Sequence, residues 1–369
     1  MAALTRRSSS APPPDPPEGG DDERDDGPSF LGGLLRSLLW TVIWLAVLGG
    51  AAVVVGFWLR VQWDEAGPLP EAKDVVVPHG GTAVAAAALK AAGVINNTTA
   101  FEALTWVTFF DGNLHAAEFS FPPNASIADV LEVLRTAKPV EHKITIVEGL
   151  TAKQIAATLM LADAASGPIV IPQEGSALPQ TYEFERGTTR DAILKRAQSA
   201  MDKELAAVWA GRAPNLPLTS PRDLLVLASI VERETARPDE RAHIAAVYLN
   251  RLRKGMKLQA DPTVAYAISG GTGLLDHKLN RADLDVNSPY NTYQYPGLPP
   301  GPICSPGVAS LRAVSRPGNS EDLYFVADGS GGHAFARTVD VHLRNVARWR
   351  SIQPVEPEPA SSGPANLGR

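Results

Sequence analysis

Two carboxylates two residues apart, Glu232 and Glu234, close the stretch DLLVLASIVERET at 223–235. Glu232 follows Ala228 by four residues, Leu225 by seven and Leu224 by eight, so helical spacing puts it on the apolar stripe. Glu234 should turn to roughly the opposite side and matter little. A glutamate on a buried face either pairs or holds a proton. Glu232 therefore reads as a salt-bridge partner, with Arg251 on the facing helix as its cation, or as a general acid whose pKa burial raises towards about 6. Further on, Asp261 precedes Pro262. It suits the N-cap of a short helix, a ligand contact, or both. Gln259 just before it has no capping role to explain it. Tyr290, Asn291 and Tyr293 stand in a run rich in proline and glycine. Rings pack on the apolar face of a sugar while amides bond its hydroxyls, so the cluster suits a saccharide. A stiff loop closing over the core is the alternative.

The elements that must hold these residues are legible around them. Ser220-Pro221-Arg222-Asp223 is a helix start with a capping serine, proline at the first position and a carboxylate three residues on. The helix runs to Arg237-Pro238, and a second, from about Asp239 with Ile244, Val247, Leu249 and Leu252, stops at Gly255. A short helix from Asp261 ends near Gly270. LYFVADGSGGHAFA reads as a β-hairpin of Leu323–Ala327 and His333–Ala336, and a last helix carries Val341, Leu343 and Val346.

The 369 residues are enough for two domains with appendages. A net charge of -6 and a pI near 5.7 leave no basic footprint for nucleic acid. Cys304 is the only cysteine, which excludes an intramolecular disulfide and a cysteine-rich zinc site. The seven histidines form no HExxH pair and no tight cluster, so neither a metal site nor a cofactor is expected.

In order, residues 1–36 read as a disordered tail of Pro, Gly, Ser and acidic residues. Residues 37–59 carry no charge and would span about 35 Å as a helix, enough for a membrane crossing. Trp40, Trp44, Trp58 and Trp63 suit interfacial belts. The run is too long and starts too late for a cleaved signal peptide. Arg24 and Arg36 before it balance Arg60 and Lys73 after it, so charge alone does not orient it. Residues 60–74 read as a linker. Strand, tight turn, Ser/Thr cap and amphipathic helix then recur from Val75, Phe119 and Ile144, with Thr82, Ser126 and Thr151 as the caps. This is either a common unit used three times or a small module that grips a polymer. Residues 172–219 read as a bridge anchored by Tyr182 and Phe184 and ending in a helix over 190–209. The hairpin domain follows over 220–350, and 351–369 is a second disordered tail.

Together these pieces resemble the endolytic murein transglycosylase family (MltG, YceG-like). The matching residues are Glu148-Gly149-x-Thr151, Glu174-Gly175 with Thr181-Tyr182, Ala228–Thr235, Asn250–Leu252, Leu258–Thr263, Tyr290–Tyr293, Gly297–Ile303 and the segment up to Phe335. The chain departs at GSALPQ (175–180), where the family more often has a leucine-phenylalanine pair and an aspartate. The resemblance implies an α+β fold with one N-terminal transmembrane helix, a LysM-like α/β subdomain over 75–171 and a YceG-like catalytic domain. It implies a single-pass inner-membrane protein, its tail cytoplasmic and its catalytic domain periplasmic, acting on peptidoglycan glycan strands beside peptidoglycan synthases. It assigns the essential glutamate to Glu232; the residues themselves put Gln259, Asp261, Tyr290, Asn291 and Tyr293 towards substrate. The activity it implies needs one acid and no water: the sugar's own C6 hydroxyl closes on C1 to leave a 1,6-anhydro end. A non-catalytic wall binder and a lysozyme-like muramidase are the alternatives.

Overall fold

In the computed structural model, which describes residues 30–352, a single helix α1 (Phe30–Asp64) opens the chain. The tails expected over 1–36 and 351–369 lie outside the described residues, except that 30–36 and 351–352 are helical instead. From Gly33 onward α1 is long and apolar enough to cross a membrane. It does not stop where the apolar run stops. Arg60 and Asp64 pair across one turn at 2.8 Å, and Leu59 and Trp63 pack against the core of the next unit. Leu69 is buried in that core and a strand begins at Lys73, so residues 60–74 are not the free linker expected.

The first unit pairs β1 (Lys73–Val76) antiparallel with β2 (Glu118–Phe121), from Lys73 opposite Phe121 to Val76 opposite Glu118. Between them run α2 (Thr82–Ala91) and α3 (Thr98–Val107), and α4 (Ile127–Thr136) follows β2. Leu89, Phe101, Phe119, Phe121, Leu131 and Leu134 fill its centre. The second unit pairs β3 (Glu141–Thr145) with β4 (Thr181–Glu185), with α5 (Ala152–Met160) between them and α6 (Arg190–Ala210) after them. All three sequence repeats are strand, turn and helix: β1–α2, β2–α4 and β3–α5. Ser126 and Thr151 close capping boxes with Asp129 and Gln154. Thr82 does not cap; Gly81 holds that position without a side-chain bond.

The repeats do not share one core, so 75–171 is not one module. β3 completes its sheet with β4, from the segment read as a bridge, and Tyr182 and Phe184 point inward on alternate residues. Ile193, Leu194 and Ala197 at the start of α6 pack in this second core, whereas Met201 and Val208 near its end pack in the third. Glu118 on β2 joins the first two units through the His142 side chain and Arg186 Nε at 2.9 Å.

The third unit holds α7 (Pro221–Glu234), α8 (Arg241–Arg253), α9 (Asp261–Ile268), α10 (Val308–Ser315), the hairpin β5–β6 (Tyr324–Ala327, His333–Ala336) and α11 (Val339–Ile352). Its helical hairpin and β-hairpin match the sequence pattern to within three residues.

Candidate active site

α7 starts as its sequence dictates. Ser220 Oγ accepts from the Asp223 N–H at 3.2 Å, the Asp223 carboxylate accepts from the Ser220 N–H at 3.0 Å, and Pro221 needs no partner. Beyond that turn Arg233 is the one exposed residue of the helix. α6, α8, α9 and α10 all pack on it, and seven of its residues, including Leu224, Val226, Ser229 and Val231, are buried. Both glutamates at its end are therefore held inside protein.

Glu232 is 5% exposed and ion-paired. Its Oε1 accepts from Arg241 Nη2 at 3.3 Å and its Oε2 from the Gly307 N–H at 2.8 Å, at the N-terminus of α10. The cation is Arg241, not Arg251, whose guanidinium is spent on the carbonyls of Leu323 and Leu258, each at 2.6 Å. Arg241 also lies 3.8 Å from Glu148, whose carboxyl packs so closely on Gly307 that a Cβ there would collide with it.

Glu234 does not turn away to solvent, which corrects the sequence-based expectation. Burial, then the nearby charge of Asp261, push its carboxyl up to about 8, against partial opposition from Tyr248 and Arg251. Its Oε2 is enclosed beside the buried Tyr248 hydroxyl, and neither atom has a polar partner other than the other side chain. Near neutral pH this is a carboxylic acid with its proton.

Two of the residues singled out in the sequence, Asp261 and Tyr293, lie within electrostatic reach of Glu234. Asp261 is the first residue of α9, but its side chain makes no capping bond; instead it accepts from Tyr293 Oη at 2.5 Å. That contact, with burial the larger cause, raises the Tyr293 phenol and keeps it a donor. Gln259 is exposed, and its backbone takes a left-handed turn (φ 52) that a non-glycine residue adopts at a cost. Its N–H donates to the Thr292 carbonyl at 3.2 Å. Thr292 Oγ1 accepts from the Ala260 N–H at 2.9 Å and meets Thr263 Oγ1 at 2.9 Å, so a threonine pair locks the 259–263 turn to the tyrosine loop.

The loop's other two residues are placed differently. Tyr290 is half-buried against Tyr266, ring centres 5.0 Å apart. Asn291 is fully buried: its amide donates to the Leu284 and Val286 carbonyls at 2.9 and 2.8 Å, and its Oδ1 accepts from the Tyr293 N–H at 2.9 Å. Nothing of it is left for a sugar. It builds the loop that presents Tyr293.

Two glycine-bearing turns clamp the second unit to the site. Arg233 donates to the carbonyls of Gly149 and Gly273 at 3.4 and 3.2 Å, tying the β3–α5 turn to the end of α7. Glu174 accepts from the Ala152 N–H at 2.8 Å and from Tyr266 Oη at 3.1 Å. Gly175 beside it has φ 73, and a Cβ there would come within 2.8 Å of Pro302. Only glycine fits both conditions.

Glu234, Tyr248 and the threonine pair stand in the candidate site where sequence reasoning did not place them. A signal existed: Glu234 follows Leu227, Ile230 and Val231 by seven, four and three residues. It lies on a second apolar stripe as surely as Glu232 lies on the first.

The chain belongs to the YceG-like family, which it matches over residues 75–348. It is 32% identical over 235 residues to a Streptococcus pneumoniae protein named endolytic murein transglycosylase, covering 62% of this chain and 39% of that protein. A Bacillus subtilis protein of the same name is 34% identical over 185 residues, 49% of each chain. The match thus spans less than half the length of those relatives. A crystal structure of a putative yceG-like protein from Listeria monocytogenes superposes with a TM-score of 0.47 at 29% identity, covering 74% of this chain and 98% of that one.

Proposed function

We propose that this chain is a membrane-anchored lytic transglycosylase that cleaves peptidoglycan glycan strands internally, between MurNAc and GlcNAc, and leaves 1,6-anhydro-MurNAc ends. The observation that carries the reading is Glu234, an enclosed carboxyl raised to about 8 beside Asp261 and Tyr293. The name shared by the curated relatives supports the substrate.

Glu234 gives its proton to the glycosidic oxygen as the C1–O bond breaks, and positive charge develops on the ring. The carboxylate of Asp261, oriented by Tyr293, faces that charge. The C6 hydroxyl attacks C1, and Glu234, now ionised, takes its proton. One C–O bond breaks, one forms, and no water is consumed. A muramidase needs a second carboxyl to direct water and gives a product heavier by about 18 Da.

The apolar α1 serves as a single-pass inner-membrane anchor with the units after it in the periplasm. The β1–α2–α3–β2 unit is a LysM-like glycan grip, and the active site works on nascent strands leaving a peptidoglycan synthase, terminating their elongation. Reconstituted full-length chain incubated with uncrosslinked glycan, followed by mass spectrometry, tests the activity. Anhydro ends are expected from the parent. Glu234→Gln should lower their release by about 10²–10⁴-fold, as for a positioned acid. Glu232→Gln should act chiefly on stability, through the lost pairing with Arg241. Reducing ends would convert the assignment to a hydrolase, and no fragments at all would leave a binder. Full activity in Glu234→Gln with loss in a folded Glu232→Gln would return the acid to Glu232.

A further inference from the structure

The first unit carries an exposed apolar surface outside the candidate active site. At the end of α3, Trp106 is 81% exposed, Val107 54%, Phe109 64% and Phe110 95%. The two phenylalanines meet edge to face, ring centres 5.6 Å apart, on the short 3-10 turn Phe109–Asp111. This knuckle is built rather than frayed. Arg135 at the end of α4, itself nearly buried, donates to the Thr108 carbonyl at 2.9 Å and to the Gly112 carbonyl at 3.2 Å. It also lies 3.8 Å from Asp111, the one acidic group of the turn. With its carbonyls fixed from behind, the turn holds four large apolar side chains in the solvent, where burial would be favourable by about 25 cal/mol per Å².

The anchor says what covers them. Leu59 is the last residue of the uncharged run and also packs against the first unit's core, so no spacer separates that unit from the membrane surface. α3 and α4 both pack on α1. Asn97, the N-cap of α3, donates to Gln62 Oε1 at 3.2 Å, which starts α3 beside the end of the anchor. The ten residues of α3 carry the knuckle about 15 Å from there. Tryptophan and phenylalanine rings favour the headgroup boundary of a bilayer.

We infer that the Trp106–Phe110 knuckle inserts into the headgroup layer of the same bilayer that α1 crosses, giving the first unit a second point of attachment. The inference rests on α1 being a membrane anchor. A sugar-stacking surface would pair such rings with amides; the nearby amide of Asn113 lines a cleft with Phe109 but not with Trp106 or Phe110.

Full-length chain carrying Phe110→Cys, labelled with an environment-sensitive fluorophore and reconstituted into phosphatidylethanolamine–phosphatidylglycerol vesicles, tests it. The native Cys304 is buried and protected from the label. Val47→Cys in α1 reports the anchor, and Lys254→Cys just after α8 reports bulk solvent. Headgroup nitroxide lipids should quench the Phe110 label severalfold more than the Lys254 label, with a blue-shifted emission, while deep nitroxides quench the Val47 label. A quenched Val47 label with Phe110 behaving like Lys254 overturns the inference and leaves the anchor standing. An unquenched Val47 label overturns both. A Phe110 label that answers to added glycan fragments and not to lipid makes the knuckle a sugar contact and also overturns the inference.

Discussion

Glu234 and Glu232 are the same side chain two residues apart, and their surroundings make them different groups. Glu232 has a guanidinium and a backbone N–H; Glu234 has a buried phenol and a neighbouring carboxylate. The proton on Glu234 has a consequence for stability. Its carboxyl titrates near 4.5 when unfolded and about 8 when folded. Below the first value both states hold the proton. Between the two, the unfolded chain has lost a proton that the folded chain keeps, so stability falls as pH rises and levels off above about 8. Glu234→Gln removes that slope. The melting temperature of the variant relative to the parent should climb between pH 4.5 and about 8, read by thermal unfolding across that range. Parallel curves for the two proteins would mean that Glu234 is ionised in the folded state.

At the scale of the element, the tyrosine loop is held by its asparagine. Asn291→Ala removes two bonds given and one received inside a fully buried site; the Leu284 carbonyl keeps its bond from Gln294, but the Val286 carbonyl and the Tyr293 N–H must be satisfied again. A loss of about 1–3 kcal/mol is expected in denaturant unfolding. Tyr293→Phe, which keeps the ring, should be nearly neutral by the same measure while lowering activity through Asp261. Equal stability losses in the two would deny the division of labour. The local signals in this region were plain in the sequence: Ser220 and Asp223 wrote the start of α7, and Ser126 and Thr151 wrote two other caps. What failed was the assumption that an amphipathic helix has a wet side. α7 is packed by four helices, so spacing alone could not rank its two glutamates. Nor could it choose between Arg241 and Arg251, because i, i+4 arithmetic is silent on which residue of a facing helix arrives. Asn291 was misread for a related reason: composition announces a polar loop residue but not whether its amide faces a sugar or the loop's own carbonyls.

For the whole molecule, the order of elements was legible and the grouping was not. Three strand–turn–helix repeats suggested one module; pairing sends two to the first sheet and the third to a sheet completed by β4. Strand partners lie tens of residues apart, and nothing local names them. The resulting α6 belongs to two cores, with Ile193 and Leu194 in one and Met201 and Val208 in the other. A helix shared in this way welds its neighbours into one cooperative block. When either end lets go, its backbone opens along its length, so the second and third units cannot breathe separately. Amide protons along Arg190–Ala210 should therefore exchange with solvent deuterium at one common, slow rate set by opening of the whole block. Those of Thr82–Ala91 in the first unit, with no such shared helix, should exchange on a clock of their own. Two distinct rates within α6 would divide the block. One rate makes the helix a rigid spar, across which the clamps at Gly149 and Glu174 hold their register against α7 and α9.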